Sequence, residues 1–418
     1  MAELQEQLAW LRQKMARIDA KYAGAPALAP PRLPEHREFV EEVLSGAVVV
    51  TARGRHFETE KLYARHRRHG SFEISDLLEL PEDLLAAISG GAIPTSHPKR
   101  WAFLDTETTG LAGGSGTYAF LIGVGSVDEE GFRVRQFFMR DYAEEPSQLL
   151  ALAEYLERFD VLITYNGKTY DQPLLETRFR MSRMKPPFGR MEHLDLLFGS
   201  RRLWKLRLEN CRLSYLERQI LGVEREGDVP GELIPHYFFE YIRTQRALRL
   251  IPIFHHNVMD IVTLACLTAI VPEAFRAPEN LTPRHGADLI GIARWLLAEG
   301  QHGQALEMLR RAVGTGLPDA LLFRTLFEIG MLEKKHGRED AALAAFSGLA
   351  TSPNPYRHRA YEELAKHYEH RERNYAMALE MVRLLEHGPE RARREQRLRQ
   401  RLIKKTGAKA CGTLELSQ

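Results

Sequence analysis

The sequence predicts an α/β domain, a mixed sheet with helices packed on it, followed by an α-helical solenoid. Three observations carry this reading. Residues 98–275 alternate strand-length apolar runs with helical patterns, and the chain after Pro283 is patterned as helix throughout. Within that second part the pair Ala-Leu recurs at 305, 342 and 378, a spacing of 37 and then 36 residues. With 418 residues, 44% hydrophobic and 27% charged, the chain is long enough for two to four domains and ordinary enough in composition to pack cores. Lys plus Arg number 58 against 56 acids, a net charge of +2, which excludes a generic polycation but not a local basic surface.

Taken in order, residues 1–34 form an N-terminal helix and a Pro-rich linker. Leu4, Leu8, Leu11, Met15 and Ile18 make one helical stripe, and Pro26, Pro30, Pro31 and Pro34 break it. Residues 35–97 form a small region of undefined role, with a β-branched run at Ala47–Thr51 and a helical apolar pattern at Leu77–Ile88 that stops at Ser89-Gly90-Gly91. In residues 98–275, Trp101–Leu104, Tyr118–Val127 and Phe132–Met139 read as strands, Ser147–Arg158 as a helix and Val161–Thr164 as a further strand. Close early strands followed by strand–helix alternation imply a mixed sheet. In residues 283–405 the repeated contexts, such as Gly-Gln-Ala-Leu-Glu-Met-Leu and Ala-Met-Ala-Leu-Glu-Met-Val, resemble tetratricopeptide-type hairpins, whose period is about 34 residues. Stacked hairpins would offer a protein partner a concave surface.

The run Tyr118–Val127 is shorter than the roughly 18 apolar residues of a membrane span, so no membrane association is expected. The N-terminus is polar where a secretory leader would be basic and then apolar. Cys211, Cys266 and Cys411 are far apart and odd in number, which fits a reducing cytoplasm and gives no zinc spacing.

Three clusters carry the chemistry. In Phe103-Leu104-Asp105-Thr106-Glu107-Thr108 an apolar strand runs into carboxylates at i and i+2, which alternation places on one face. Such a pair is comfortable when hard divalent cations neutralise it. In Tyr165-Asn166-Gly167-Lys168-Thr169-Tyr170-Asp171 a strand ends, a turn follows and Asp171 precedes a helix; alone, it reads as an N-cap. Joined to the first pair, it adds a third carboxylate, with Asn166 and Tyr170 lining the cleft. In His255-His256-Asn257-Val258-Met259-Asp260 the last acid lies about one helical turn from either histidine, and an imidazole there suits deprotonation of a water.

The order Asp-x-Glu, Asn-Gly-x-x-Tyr-Asp, His-His-Asn-x-x-Asp resembles the DEDD exonucleases of the ribonuclease H-like superfamily, and its wording is similar to the YprB-like group within it. The likeness covers about 100–270. It implies a ribonuclease H-like fold for this domain and makes Asp105, Glu107, Asp171 and Asp260 the four carboxylates, holding two Mg²⁺ or Mn²⁺ ions about 3.5–4 Å apart. It further implies contacts to a terminal nucleotide from Thr108 and Leu111. The base is His255 if it stands five residues before the last acid and His256 if it stands four before. Nucleic acid, DNA or RNA, is the implied substrate, cut by a 3′–5′ exonuclease; a rival reading is an inactive nucleic-acid-binding adaptor with the same body and partner-binding repeats.

Residues 178–225 hold twelve Lys or Arg against five acids, with Phe198, Trp204 and Tyr215 interleaved, and Arg201 and Arg202 are the candidate phosphate contacts. Residues 389–409 hold nine Lys or Arg against two acids, a second clamp or a solvated terminal helix. The Gly-rich run 110–117 lacks the Lys-Ser/Thr ending of a P-loop and reads as a turn between strands.

Overall fold

Seven strands hydrogen-bond in the order β1-β2-β7-β6-β5-β8-β9. They are β1 (Ala47–Thr51), β2 (Gly54–Ala64), β5 (Trp101–Thr108), β6 (Ala119–Val127), β7 (Gly131–Phe138), β8 (Val161–Thr164) and β9 (Glu192–Asp195), with β3 (Arg68–His69) and β4 (Phe72–Glu73) forming a separate small ladder. β5 pairs antiparallel with β6 and parallel with β8, so the sheet is mixed, as the sequence predicts. The computed structural model describes residues 39–110, 116–281 and 284–412, with side chains to residue 405. The stripe Leu4–Ile18, the linker 25–34, Leu111 and the Cys411 side chain lie outside the described residues.

Alternation along each strand divides two cores between the faces of the sheet. Trp101 and Phe103 face one side and meet Val258, Ile261 and Val262 of a long helix. Ala102, Leu104 and Leu162 face the other and pack on helices α1 (Glu145–Leu156) and α2 (Asp171–Met181) through Leu152, Leu156 and Phe179. α3 (Leu196–Trp204) and α4 (Ile234–Thr244) follow, and the long helix is α5 (Ile251–Arg276). It lies against β5, β6 and β7. Gly123 and Gly125 of β6 make that approach feasible. A Cβ at Gly123 would sit 2.2 Å from Asn257 Oδ1 and 2.3 Å from Ile261, and one at Gly125 would sit 2.5 Å from Ile261.

The C-terminal part is helical: α6 (Gly286–Ala298), α7 (His302–Thr315), α8 (Asp319–Lys335), α9 (Glu339–Thr351), α10 (Arg357–His370), α11 (Tyr375–Arg383) and α12 (Pro389–Gly412). Neighbours pair in sequence order, and Ala305, Ala342 and Ala378 are buried in α7, α9 and α11, the second helix of each pair. Small residues there let the helix axes close. This is a run of helical hairpins, and the tetratricopeptide likeness itself rests on the sequence period.

Three expectations change. The helical pattern at Leu77–Ile88 is not an α-helix: a 3-10 turn covers Ile74–Leu78, Pro81 interrupts, and turns follow, although Leu77, Leu84 and Leu85 are buried in the core all the same. The region 35–97 supplies β1 and β2 to the sheet, with β2 bonded along β7 from Phe57↔Phe138 to Ala64↔Gly131. The segment Ala247–Arg276 is also long and apolar enough to cross a membrane by length and composition, more so than Tyr118–Val127, and 72% of its window is buried in this protein's own core.

Gly123→Ala should lower the urea midpoint through a loss of about 1–3 kcal/mol, since backbone and helix must part to admit the methyl group. Gly303→Ala, with nothing within 4 Å of its added carbon, should be neutral or mildly stabilising.

Candidate active site

β5 ends in a bulge between Glu107 and Thr108, beyond the register pairs Asp105↔Gly123 and Glu107↔Leu121. Asp105 and Glu107 continue the face begun by Trp101 and Phe103, the one that α5 covers, so they meet Asp260 of that helix. Thr106 points to the opposite face, where its hydroxyl donates to Asp171 Oδ1 at 2.5 Å. Asp171 is the first residue of α2 and is buried, and its side chain caps no helix amide; the capping position is Tyr170. The reading of Asp171 as a simple N-cap therefore gives way to an inward-facing carboxylate.

Electrostatics shows the convergence. Burial, with the charges of Asp260, Glu107 and Asp171, holds Asp105 well above the usual carboxylate range. Glu107 is pushed up to about 8 by burial and by Asp260, Asp171 and Asp228, against the pull of His256. Burial takes Asp171 to about 6 despite the Thr106 hydrogen bond. All four sequence-predicted acids thus lie within electrostatic reach of one another, and burial first, then their mutual charge, raises the proton affinity of Asp105 and Glu107.

Asp105 and Asp260 also have a neutral and a cationic holder, respectively. Asn257 Nδ2 donates to Asp105 Oδ2 at 2.8 Å, while Gln136 Nε2 donates to Asn257 Oδ1 at 2.8 Å and to the Phe254 carbonyl at 2.9 Å. Arg225 Nη2 meets Asp260 Oδ1 at 2.5 Å, and the same guanidinium reaches Glu217 at 2.6 Å and Asp228 at 3.3 Å. Among the described residues, no three His, Cys, Asp or Glu side chains are drawn together as a ready-made cation cage. One oxygen of Asp105 and one of Asp260 are turned toward these partners instead.

The two histidines separate clearly. His256 Nδ1 lies 2.7 Å from Asp228 Oδ1, and its Nε2 lies 3.6 Å from Asp260 Oδ2. Burial draws its proton affinity down, yet Asp228, Asp260 and Glu107 outweigh that and raise it to about 9. His255, on the preceding position of the helix, is largely exposed, and partial desolvation of its ring together with Lys61 lowers it. The structure brings His256, not His255, to the carboxylates.

Around the mouth, Tyr170 Oη donates to the Gly110 carbonyl at 2.5 Å and pairs with Thr108 Oγ1 at 3.1 Å. Asn166 acts through its backbone. It takes a φ of 70°, a left-handed conformation that asparagine tolerates, and its N–H donates to Asp195 Oδ1 at 2.8 Å. Its side chain is exposed. Arg201 and Arg202 do not join the carboxylates; they lie on α3 at the seam with the helical part.

Asn257, Arg225 and Asp228 complete the site. Asn257 stood beside the predicted histidine in sequence, but Arg225 and Asp228 lie in an irregular stretch 35 and 28 residues before their partners, where no periodicity marks them. The basic run 178–225 is likewise not one surface. Arg178 is buried against Glu145, Arg207 pairs with Asp288 and Arg225 serves the site.

Comparison with known proteins identifies the family. The family model of the RNase H superfamily matches residues 102–271. The uncharacterized protein YprB of Bacillus subtilis (strain 168) is 32% identical over 333 residues, covering 77% of this chain and 78% of that protein. A solved family B DNA polymerase of the hyperthermophilic archaeon Pyrobaculum calidifontis is 13% identical with a TM-score of 0.32, covering 49% of this chain and 30% of its own, and no argument rests on so low a score. By its likeness to YprB along most of both chains, and by the superfamily match over the sheet body, the chain belongs to the YprB family of RNase H-like proteins.

Proposed function

We propose that the protein is a metal-dependent nuclease, a 3′–5′ exonuclease that hydrolyses phosphodiester bonds of DNA or RNA. The observation that carries this reading is the convergence of Asp105, Glu107, Asp171 and Asp260, from a strand and two helices, with His256 beside them. Buried carboxylates with raised proton affinity are an electrostatic deficit, and in a phosphate-binding cleft they would repel the substrate without cations. The donor set fits Mg²⁺ or Mn²⁺: all four are hard oxygen ligands. A bound pair of such ions would lower the pKa of the attacking water and stabilise the leaving 3′ oxygen.

The chain's own groups supply the rest. In its neutral form His256 Nε2 would take the water's proton, while Asp228 on Nδ1 fixes the ring and its tautomer. Asn257 keeps one oxygen of Asp105 oriented. Arg225 orients Asp260 and offsets charge among Glu217, Asp228 and Asp260. Tyr170 and Thr108 shape the wall on which a terminal nucleotide would rest. Hydrolysis at the last linkage adds water across the P–O3′ bond, releasing a nucleoside 5′-monophosphate and a strand with a new 3′ hydroxyl.

Asp105→Ala combined with Glu107→Ala should abolish Mn²⁺-dependent shortening of a 3′-end oligonucleotide, and full cleavage would move the active site elsewhere. His256→Ala should lower kcat by about 10²–10⁴, with His255→Ala near wild type. A 3′-blocked and a circular substrate should both resist; cleavage of the circle would make the enzyme an endonuclease.

A stability measurement tests the cation reading without turnover. Glu107 and His256 both bind protons more tightly in the folded chain than when unfolded, with folded values of about 8 and about 9. Their contribution is fully present at low pH and is lost as pH rises through those values. In EDTA the melting temperature should fall between about pH 4.5 and 9, and Mn²⁺ should flatten that fall in the wild type but not in the Asp105→Ala, Glu107→Ala double variant.

A further inference from the structure

A cavity of about 350 Å³ opens where α3 of the sheet body crosses α6 of the helical part, lined by Arg201, Arg202, Lys205 and Arg294 over the edge of Trp295. That is within the size range of ligand sites, roughly 300–1,000 Å³. No acid lines it. The side chains of Arg201, Arg202 and Lys205 make no ion pair or hydrogen bond among the described residues, unlike Arg178, Arg207 and Arg225 of the same basic segment. Arg294 has a single carboxylate near it, Glu328 at 4.0 Å, which lies closer to Arg324 at 2.9 Å. Burial and the Arg324 charge hold Arg294 below the usual arginine range.

The walls are rigid. A Cβ on Gly291 of α6 would lie 2.1 Å from the Arg202 carbonyl, so the two helix backbones touch there. The Arg207–Asp288 pair at 2.9 Å and the edge-to-face contact of Phe275 with Trp295, centroids 5.0 Å apart, fix the same seam. Four cations are therefore held together with too few counter-charges, by contacts that do not involve their charged ends.

The cavity also has a fixed relation to the carboxylates. Asp195, which caps α3 by accepting from Leu197 N, accepts from the backbone N–H groups of Asn166 and Lys168 in the loop that leads to Asp171. Arg201, Arg202 and Lys205 follow that cap along the helix, about 9–15 Å away at 1.5 Å per residue. The charge of Arg201 is felt at Tyr165, the residue before Asn166.

We propose that this cavity is a phosphate subsite for a nucleic-acid strand, contacting backbone phosphates a few nucleotides from the end that lies at the carboxylates. Phosphate oxygens supply the missing negative charge, and both arginine forks and a lysine are suited to them. Trp295 is too buried to accept a base face, so the contact reads no sequence. That the strand's end lies at the carboxylates rests on the nuclease reading; the anion site does not.

Binding of a fluorescein-labelled 20-nucleotide single strand to the full chain in EDTA, by anisotropy across a KCl series, tests this. Arg201→Gln with Arg202→Gln should weaken binding and reduce the magnitude of the log Kd against log salt slope by about 1.4, about 0.7 per lost contact. Arg294→Gln, on the opposing helix, should reduce it as well, and a 4-nucleotide strand should discriminate little between these proteins and the wild type. Unchanged slopes in variants that melt at the wild-type temperature would overturn the proposal. So would displacement of the long strand by micromolar inorganic phosphate, which would assign the cavity to a free anion. Strand shortening in Mn²⁺ is scored separately. Loss of slope in a protein that never cleaves keeps the subsite and sinks the nuclease reading; cleavage with unaltered slopes does the reverse.

Discussion

The contact between α5 and the middle of the sheet governs the rest of the structure. β6 offers Gly123 and Gly125 where α5 crosses, and the space they leave is filled by Asn257 and Ile261. Ile261 contributes apolar burial, at about 1.5–3 kcal/mol for such a side chain. Asn257 turns the same approach into polar order: its amide is held by Gln136 of β7 and holds Asp105 of β5. One helix thus joins two strands by hydrogen bonds and presents Asp260 and His256 from its next turns. A shift of this helix by an ångström would loosen the core and scatter the site together, because the same residues make both.

Charge is the second organising factor, and it is distributed unevenly. Several basic side chains that looked like a continuous binding surface are consumed in pairs. Arg178 clamps α2 to α1 through Glu145, and Arg394, Arg397 and Arg401 of α12 converge on the buried Glu369. The terminal basic helix is for this reason substantially an internal brace. Arg201, Arg202 and Lys205, which make no ion pair among the described residues, sit together at the seam between the two parts of the chain.

Much of this was legible in the sequence, for physical reasons. Strands buried on both faces, such as β6 and β8, must be continuously apolar, and their boundaries were read to within a residue or two. Asp105 and Glu107 were placed on one face by alternation, which is a property of any strand. β2 escaped because Gly54–Ala64 is dense in charges; these are matched across the sheet, Glu58 with Arg135 and Glu60 with Arg133, a pairing that exists after folding alone. Leu77–Ile88 misled because its leucines are core residues on turns, where burial follows the fold and not a helical period. Arg225 and Asp228 could not be found by spacing, since their partners come from a helix that begins more than twenty residues later.

The register of β2 along β7 bears on what counts as the domain. The match to the superfamily model begins at residue 102, yet the hydrogen-bonded sheet begins at residue 47. A fragment cut at the start of the recognisable region would leave β7 as a bare edge from Gly131 to Phe138, with its donors and acceptors unpaired and aromatic side chains beside them. Such an edge is an invitation to strand-to-strand association between molecules. The stretch that the superfamily model matches and the sheet that the chain closes therefore have different first residues.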